Sequence, residues 1–313
     1  MRTIRSACLL VSVAAVVLLS GGCTIGPDRS GAARLTVTRD FGTTSLLSAK
    51  EKSLPEGETV MRFLQRRAKV ETRYGGRFVQ EINGVRSGNS DGGRRDWFYY
   101  VNGIEADVGA AESEVHHGDR VWWDYRDWTT AMRVPAVVGS FPEPFIHGSE
   151  GKSFPVRIDC GRHAEETCNE LADHLSAASI IPSKTSLGVP VGDAVLRFVV
   201  GTWDEVREDD AARQLEEGPG KSGVFARVAR AGDGYRFDLL DRKGAVAATL
   251  TSGAGIVAAT RFEDQQPTWV VAGTDQAGLK QAERLVTEQT LHDRYAVATD
   301  SGKVIALPAG PVR

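Results

Sequence analysis

The chain has 313 residues, 41% of them hydrophobic and 25% charged, with a formal net charge of −3. That length allows two compact domains, and the composition is that of a globular protein, not a disordered or fibrous one. A near-balanced charge offers no broad basic field, so nucleic acid is excluded as a partner class.

The first segment in chain order has the features of an export signal. Met1-Arg2-Thr3-Ile4-Arg5 is a positive n-region, Ala7 to Leu19 is an apolar run too short to span a bilayer and stay, and Leu19-Ser20-Gly21-Gly22-Cys23 follows. Residues 1–22 therefore read as a signal peptide and 23–33 as a tether. A cysteine at the cleavage point resembles a bacterial lipoprotein signal, in which Cys23 becomes the acylated first residue. The usual Leu three positions before the cysteine is replaced by Ser20, and Ser20-x-Gly22 also fits ordinary signal-peptidase cleavage. The expectation is a protein held by lipid on the extracytoplasmic face of the membrane, or a secreted one if Cys23 is not lipidated.

Export leaves one cysteine pair, Cys160 and Cys168, around "CGRHAEETC". In an oxidising compartment this reads as a disulfide. The rival is a metal site with His163 and His174, but C-x2-H-x4-C-x5-H lacks the tight pairs of zinc sites. No C-x-x-C is present, so a structural brace is expected and no metal is called for.

The next elements span residues 34–127. "ARLTVTRD" alternates Leu35 and Val37 with polar neighbours, as a half-buried strand does, and a second strand through Leu46 and Leu47 follows. "LPEGETVMRFLQRR" puts Val60, Phe63 and Leu64 at helical spacing. "GRFVQEINGV" and "DWFYYVNGIEA" are strands ending in Asn-Gly turns, and "GDRVWWDY" is the last strand. Several strands with one helix describe a small α+β domain. Residues 128–154 carry Pro135, Pro142, Pro144 and several glycines and read as a linker, with "VPAVVGSF" able to add one strand.

Residues 155–313 alternate strand and helix. "FPVRIDC" leads to a helix with Leu171 and Leu175 on one face. "AVLRFVVGTWDEVREDDAARQL" and "PTWVVAGTDQAGLKQAERLV" share a plan of apolar strand, Gly-Thr, acidic residue and helix, with Thr202 and Thr274 expected as N-caps. The hairpin-like strands "GVFARVA", "YRFDLLD" and "AVAATL" lie between them, and "RYAVATDSGKVIAL" closes an α/β domain with a mixed sheet.

"GETVMRFLQ", "INGV", "WFYYVNG" and "HHGDRVWWDY", in that order, resemble the transcobalamin-like C-terminal family, catalogued as domain of unknown function 4430. The resemblance covers about residues 34–127 and implies a β-grasp-like fold of the soluble-ligand-binding type. In vertebrate cobalamin carriers that module caps a corrinoid against an all-helical barrel, and bacterial members are exported or surface-anchored. Nothing here reads as such a barrel, because the second domain is strand-rich. The resemblance thus implies an exported module that binds a small molecule or a membrane transporter, as an accessory to uptake of a corrinoid-like ligand, with no resident cofactor.

Large rings on both faces of two strands cannot all enter one core, so an aromatic patch is expected to be exposed or docked. The ligand-binding candidates are Trp97, Tyr99, Tyr100, Trp122, Trp123 and Arg95. His116 and His117 point opposite ways on a strand and read as solvated, and His163, His174 and His292 as surface residues. Both Gly-Lys-Ser tripeptides lack the earlier glycine of a phosphate loop, having Ile146 and Leu215 there. No nucleophile elbow, zincin motif or matched carboxylate pair appears, so no catalytic residue is named. The expected function is a non-catalytic binding module. Two alternatives stay open: a structural or adhesive envelope protein, and an enzyme with its site at the carboxyl ends of the α/β strands.

Overall fold

The computed structural model describes residues 31–90, 93–263 and 265–310. The signal segment and Cys23 lie outside the described residues. Within them no helix is long and apolar enough to cross a membrane.

The N-terminal unit comprises β1 (Ala33–Arg39), β2 (Thr44–Glu51), α1 (Val60–Gln65), β3 (Val70–Arg73), β4 (Phe78–Ile82), β5 (Val85–Arg86), β6 (Gly88–Ser90), β7 (Gly93–Val101), β8 (Ile104–Glu105) and β9 (Arg120–Asp127). Its main sheet runs β2-β1-β9-β7-β6, and β3-β4-β5 form a small separate sheet. β1 and β9 pair parallel at the centre, whereas β7 pairs antiparallel with β9. One helix across a mixed sheet is the expected α+β arrangement. α1 starts where the Thr59 hydroxyl accepts from the Arg62 amide, and it buries Val60, Met61, Phe63 and Leu64. These pack on Leu35 and Val37 of β1 and on the inward residues of β7 and β9.

The segment 128–154 has the composition of a linker but is packed. Val134 and Val137 enter one core, while Ala136, Val138, Phe141 and Phe145 enter another. Its expected extra strand is reduced to a single bridge between Ala136 and Ile104. Gly139 passes so close to Trp122 and the Arg294 backbone that a Cβ there would lie 2.7 Å from either. Proline and glycine here fit the chain into a narrow gap between two folded units.

The C-terminal unit contains β10 (Val156–Cys160), α2 (Glu165–Ala177), β11 (Pro182–Ser186), β12 (Leu196–Thr202), α3 (Trp203–Val206), α4 (Asp210–Glu216), α5 (Pro219–Ser222), β13 (Ala226–Ala231), β14 (Gly234–Leu240), β15 (Val246–Leu250), β16 (Ala254–Thr260), β17 (Thr268–Gly273), α6 (Gln276–Glu283), α7 (Glu288–Leu291), β18 (Ala296–Asp300) and β19 (Lys303–Leu307). The sheet order is β11-β10-β12-β17-β16-β18-β19, parallel through β17 and antiparallel beyond it. α2 and α6 cover one face, with Leu171, Leu175 and Leu279 against Trp269 and Phe198. α3, α4 and the β13-β14-β15 sheet cover the other.

The two Gly-Thr units diverge. Thr202 forms a capping box with Glu205, but its helix stops after one turn and restarts at Asp210 behind the Asp209 cap. At the second, the expected Thr274 cap is corrected to Asp275, whose carboxylate accepts from the Gly278 amide. A carboxylate competes well for amide donors at a helix start, and the Thr274 hydroxyl instead pairs with the Ala254 backbone.

Candidate functional site at the junction of the two units

Alternation along β7 and β9 divides the aromatic residues between two faces. Trp97, Tyr99, Trp123 and Tyr125 lie in the core beneath α1, with the Tyr99 and Trp123 rings stacked at 4.9 Å. Tyr100 and Trp122 point the other way, into the core of the α/β unit. All five candidate rings are at most 8% exposed. Trp97 and Tyr99 edge a small surface pocket of ≈ 300 Å³ beside Phe98 and Met132; otherwise the helix closes one side of the sheet and the second unit closes the other. The sixth candidate, Arg95, is held by Asp40 at 2.8 Å beside the Tyr125 ring.

Where Tyr100 and Trp122 meet the α/β unit, edge-on contacts with Tyr295 at 5.8 and 5.3 Å form the junction. Its polar centre is Asp124 of β9, fully buried. Thr38 donates to one carboxylate oxygen at 2.6 Å, and the Phe41 amide and Tyr295 hydroxyl donate to the other at 3.0 and 2.9 Å. Burial holds the Asp124 carboxyl above the ordinary range, although these donors pull it down. The loop tip at Gly42, φ +78°, lies against the Asp293 carbonyl, where a side chain would clash.

Arg126 is also fully buried. It donates to the carbonyls of Ala131 and Met132 at 2.7 and 3.0 Å, reaches Glu105 at 3.3 Å and lies over the Phe98 ring at 3.7 Å. Burial works against its charge, but the neighbouring carboxyl groups Glu105 and Asp124 favour the protonated guanidinium. Asn102 does more than form the expected turn. Its φ is +54°, and its buried side chain donates to Asp119 at 2.7 Å and to the Gly148 carbonyl at 2.8 Å.

Beside this sealed junction is an open cleft of ≈ 740 Å³. The N-terminal unit contributes the stretch from Val101 to His116, and Ser149–Phe154 with Arg261 and Gln266 form the opposite wall. Asp107 bridges the two sides, bonding both Arg133 and Arg261, the latter at 2.8 Å. Burial would raise the Asp107 carboxyl, but the two guanidinium groups hold it below the usual range. Val101, Ile104 and Phe154 make the wall partly apolar, while Glu112, Glu114 and Glu150 are exposed around it. The sequence offered no signal for this cleft, since its walls come from segments far apart in the chain.

The histidines read as surface residues are exposed, and each has an acidic partner. His163 and His174 face Glu205 and Glu283 at 3.1 and 2.5 Å, and His292 faces Asp293 at 3.2 Å. His116 is half-buried and lies 3.5 Å from Asp119. The His163 and His174 pairs join segments distant in the chain, which single-residue inspection cannot reveal, whereas those of His292 and His116 are local. Cys160 and Cys168 form the expected disulfide. Among the described residues no group of three or more His, Cys, Asp and Glu side chains could hold a metal ion.

The sequence model of the family described as a domain of unknown function, DUF4430, matches residues 57–127. That match lies inside the span marked by the aromatic motifs and contains α1, β7 and β9. No curated protein matches the chain. A solved structure from Ruminococcus gnavus, of a protein to which metal binding is provisionally ascribed, aligns at 13% identity over 31% of this chain and 97% of its own, with a TM-score of 0.25. Similarity at that level carries no inference about this chain.

Proposed function

We propose that the chain is an exported, membrane-anchored and non-catalytic binding protein whose ligand sits in the cleft between the DUF4430 segment and the α/β unit. The observation that carries this reading is the cleft itself. Its ≈ 740 Å³ lies within the usual range for small-molecule sites, and clefts between domains are favoured positions for them. Apolar Val101, Ile104 and Phe154 beside carboxylates Glu112, Glu114 and Glu150, which outnumber the lining cations Lys152 and Arg261, favour a small organic cation with an apolar body. A corrinoid-like ligand, or docking to a membrane transporter, would have to use this surface, since the aromatic strands are enclosed. Anchoring rests on Cys23, and fatty-acid labelling lost in Cys23→Ala would support it.

Calorimetric titration with a series of alkylammonium ions, with cobinamide and zinc run alongside, tests the ligand class. Saturable alkylammonium binding that strengthens with chain length is expected, with loss in Glu112→Gln/Glu114→Gln/Glu150→Gln and in Ile104→Trp. Binding unchanged in both variants would refute the site. The enclosure of all five candidate rings favours the second reading, a structural envelope protein, and an absence of binding across the series would select it.

A further inference from the structure

The α/β unit has its own crevice, of ≈ 940 Å³, at the carboxyl ends of its parallel strands. From β10 the chain runs through α2 to β11 on one side, and β12 then joins the opposite side of β10. α2 and α3 lie on opposite faces of the sheet. The gap between β10 and β12 is therefore a topological switch point, where open α/β sheets leave room for a ligand.

The wall of this crevice includes the Cys160–Cys168 disulfide. Its two halves differ. Cys160 ends β10 and is half-buried, whereas Cys168 sits on the inner face of α2 at 1% exposure. The loop between them is also anchored independently of the bridge. The Gly161 amide donates to Val200 at 2.7 Å, and the His163 amide to Glu205 at 2.7 Å. Glu205 is in turn fixed by the Thr202 amide at 3.0 Å. A bridge spanning only eight positions constrains the unfolded chain less than a long one does.

We propose that this crevice is a thiol–disulfide exchange site in which a small thiol or dithiol attacks Cys160. An incoming thiolate forms a bond to the Cys160 sulfur, the Cys160–Cys168 bond breaks, and its electron pair leaves on Cys168. A second thiolate, or the second arm of the same dithiol, attacks the sulfur of the bound thiol and releases Cys160 as a thiolate. Both protein thiolates then take protons from solvent. The net reaction oxidises two small thiols to a disulfide and reduces the protein pair to two thiols. Cys168 is the leaving sulfur because the crevice opens on the more exposed Cys160; the dipole of the 13-residue α2 favours an anion near its N-terminus, while Glu165, Glu166 and the burial of Cys168 oppose it. This inference does not depend on the ligand of the interdomain cleft.

The test uses the chain with Cys8→Ser and Cys23→Ser, so that thiol counts report the pair alone. Reduction by millimolar dithiothreitol without denaturant is expected, at a rate first order in thiol, with the reduced protein keeping its circular dichroism spectrum. With glutathione disulfide, Cys168→Ser should form a mixed disulfide at Cys160 at least about tenfold faster than Cys160→Ser does at Cys168. Ser186→Trp, which narrows the crevice, should slow reduction of the intact pair. Reduction that needs guanidinium, a reduced chain that unfolds, or capture at Cys168 as fast as at Cys160 would each overturn the proposal.

Discussion

On the α1 face of β7 and β9, Trp97, Tyr99, Trp123 and Tyr125 pack among aliphatic side chains. On the opposite face Tyr100 and Trp122 pack around Asp124 and Arg126, both fully buried, and reach Tyr295. The first face belongs to the N-terminal unit's own core. The second joins two units: the Tyr295 hydroxyl crosses to Asp124, while Arg126 is held by Glu105 and the Ala131 and Met132 carbonyls on its own side. The comparison shows that aromatic content alone does not mark a binding surface. What distinguishes the two faces is the polar group among the rings.

Substitutions can break this comparison, and the largest effect belongs to the α1 face. Trp123→Ala should cost about 3–5 kcal/mol, measured by denaturant unfolding, because the short α1 cannot collapse into the space left. That penalty should be the same from mildly acidic to mildly alkaline pH. Tyr99, the nearest titrating group shown to shift, is pushed up to about 12 by burial, well above that range. A penalty that varied with pH would blur the distinction between the faces.

The next effect tests the junction. Asp124→Asn should cost about 2–3 kcal/mol, since an amide nitrogen would face donors where a carboxylate oxygen now accepts. This cost should depend on pH. Asp124 is raised in the folded state, so between its unfolded and folded values the native chain binds more protons and stability falls as pH rises. The variant lacks that slope, so its penalty should be largest near the ordinary carboxylate range and shrink above it. Thermal unfolding across pH reads this directly, and parallel curves would show that Asp124 does not titrate as its burial demands.

The smallest effect lies at the cleft edge. Arg261→Ala removes one of the two guanidinium partners of Asp107, and an exposed pair of this kind is worth at most about 1 kcal/mol. Its signature is a rise of the Asp107 titration toward the ordinary carboxylate range, followed by NMR. An unchanged titration would assign the depressed value to Arg133 alone.

Much of the architecture was legible because it rests on short-range patterns. Alternation at Leu35 and Val37 placed β1, helical spacing of Val60, Phe63 and Leu64 placed α1, and Asn-Gly pairs placed the turns. The disulfide followed from two cysteines eight positions apart, read as lying in an oxidising compartment. The candidate site was not legible. The Asp124–Tyr295 bond joins residues 171 positions apart, and nothing near Tyr295 distinguishes it from any other strand-leading tyrosine. The connector misled for a related reason, since Pro135, Gly139 and Pro142 have the composition of a free loop but fit a crowded gap.

The sequence by itself determined the elements, the faces on which the rings of β7 and β9 lie and the pairing of Cys160 with Cys168, because periodicity and turn chemistry act over a few residues. Only the tertiary structure decided that Trp97 and Trp123 are roofed by α1, that Tyr100 and Trp122 are met by Tyr295, and that larger open spaces lie elsewhere, in the interdomain cleft and above β10 and β12. Whether a side chain becomes core or surface depends on what arrives opposite it, and here that was a second unit from a distant part of the chain.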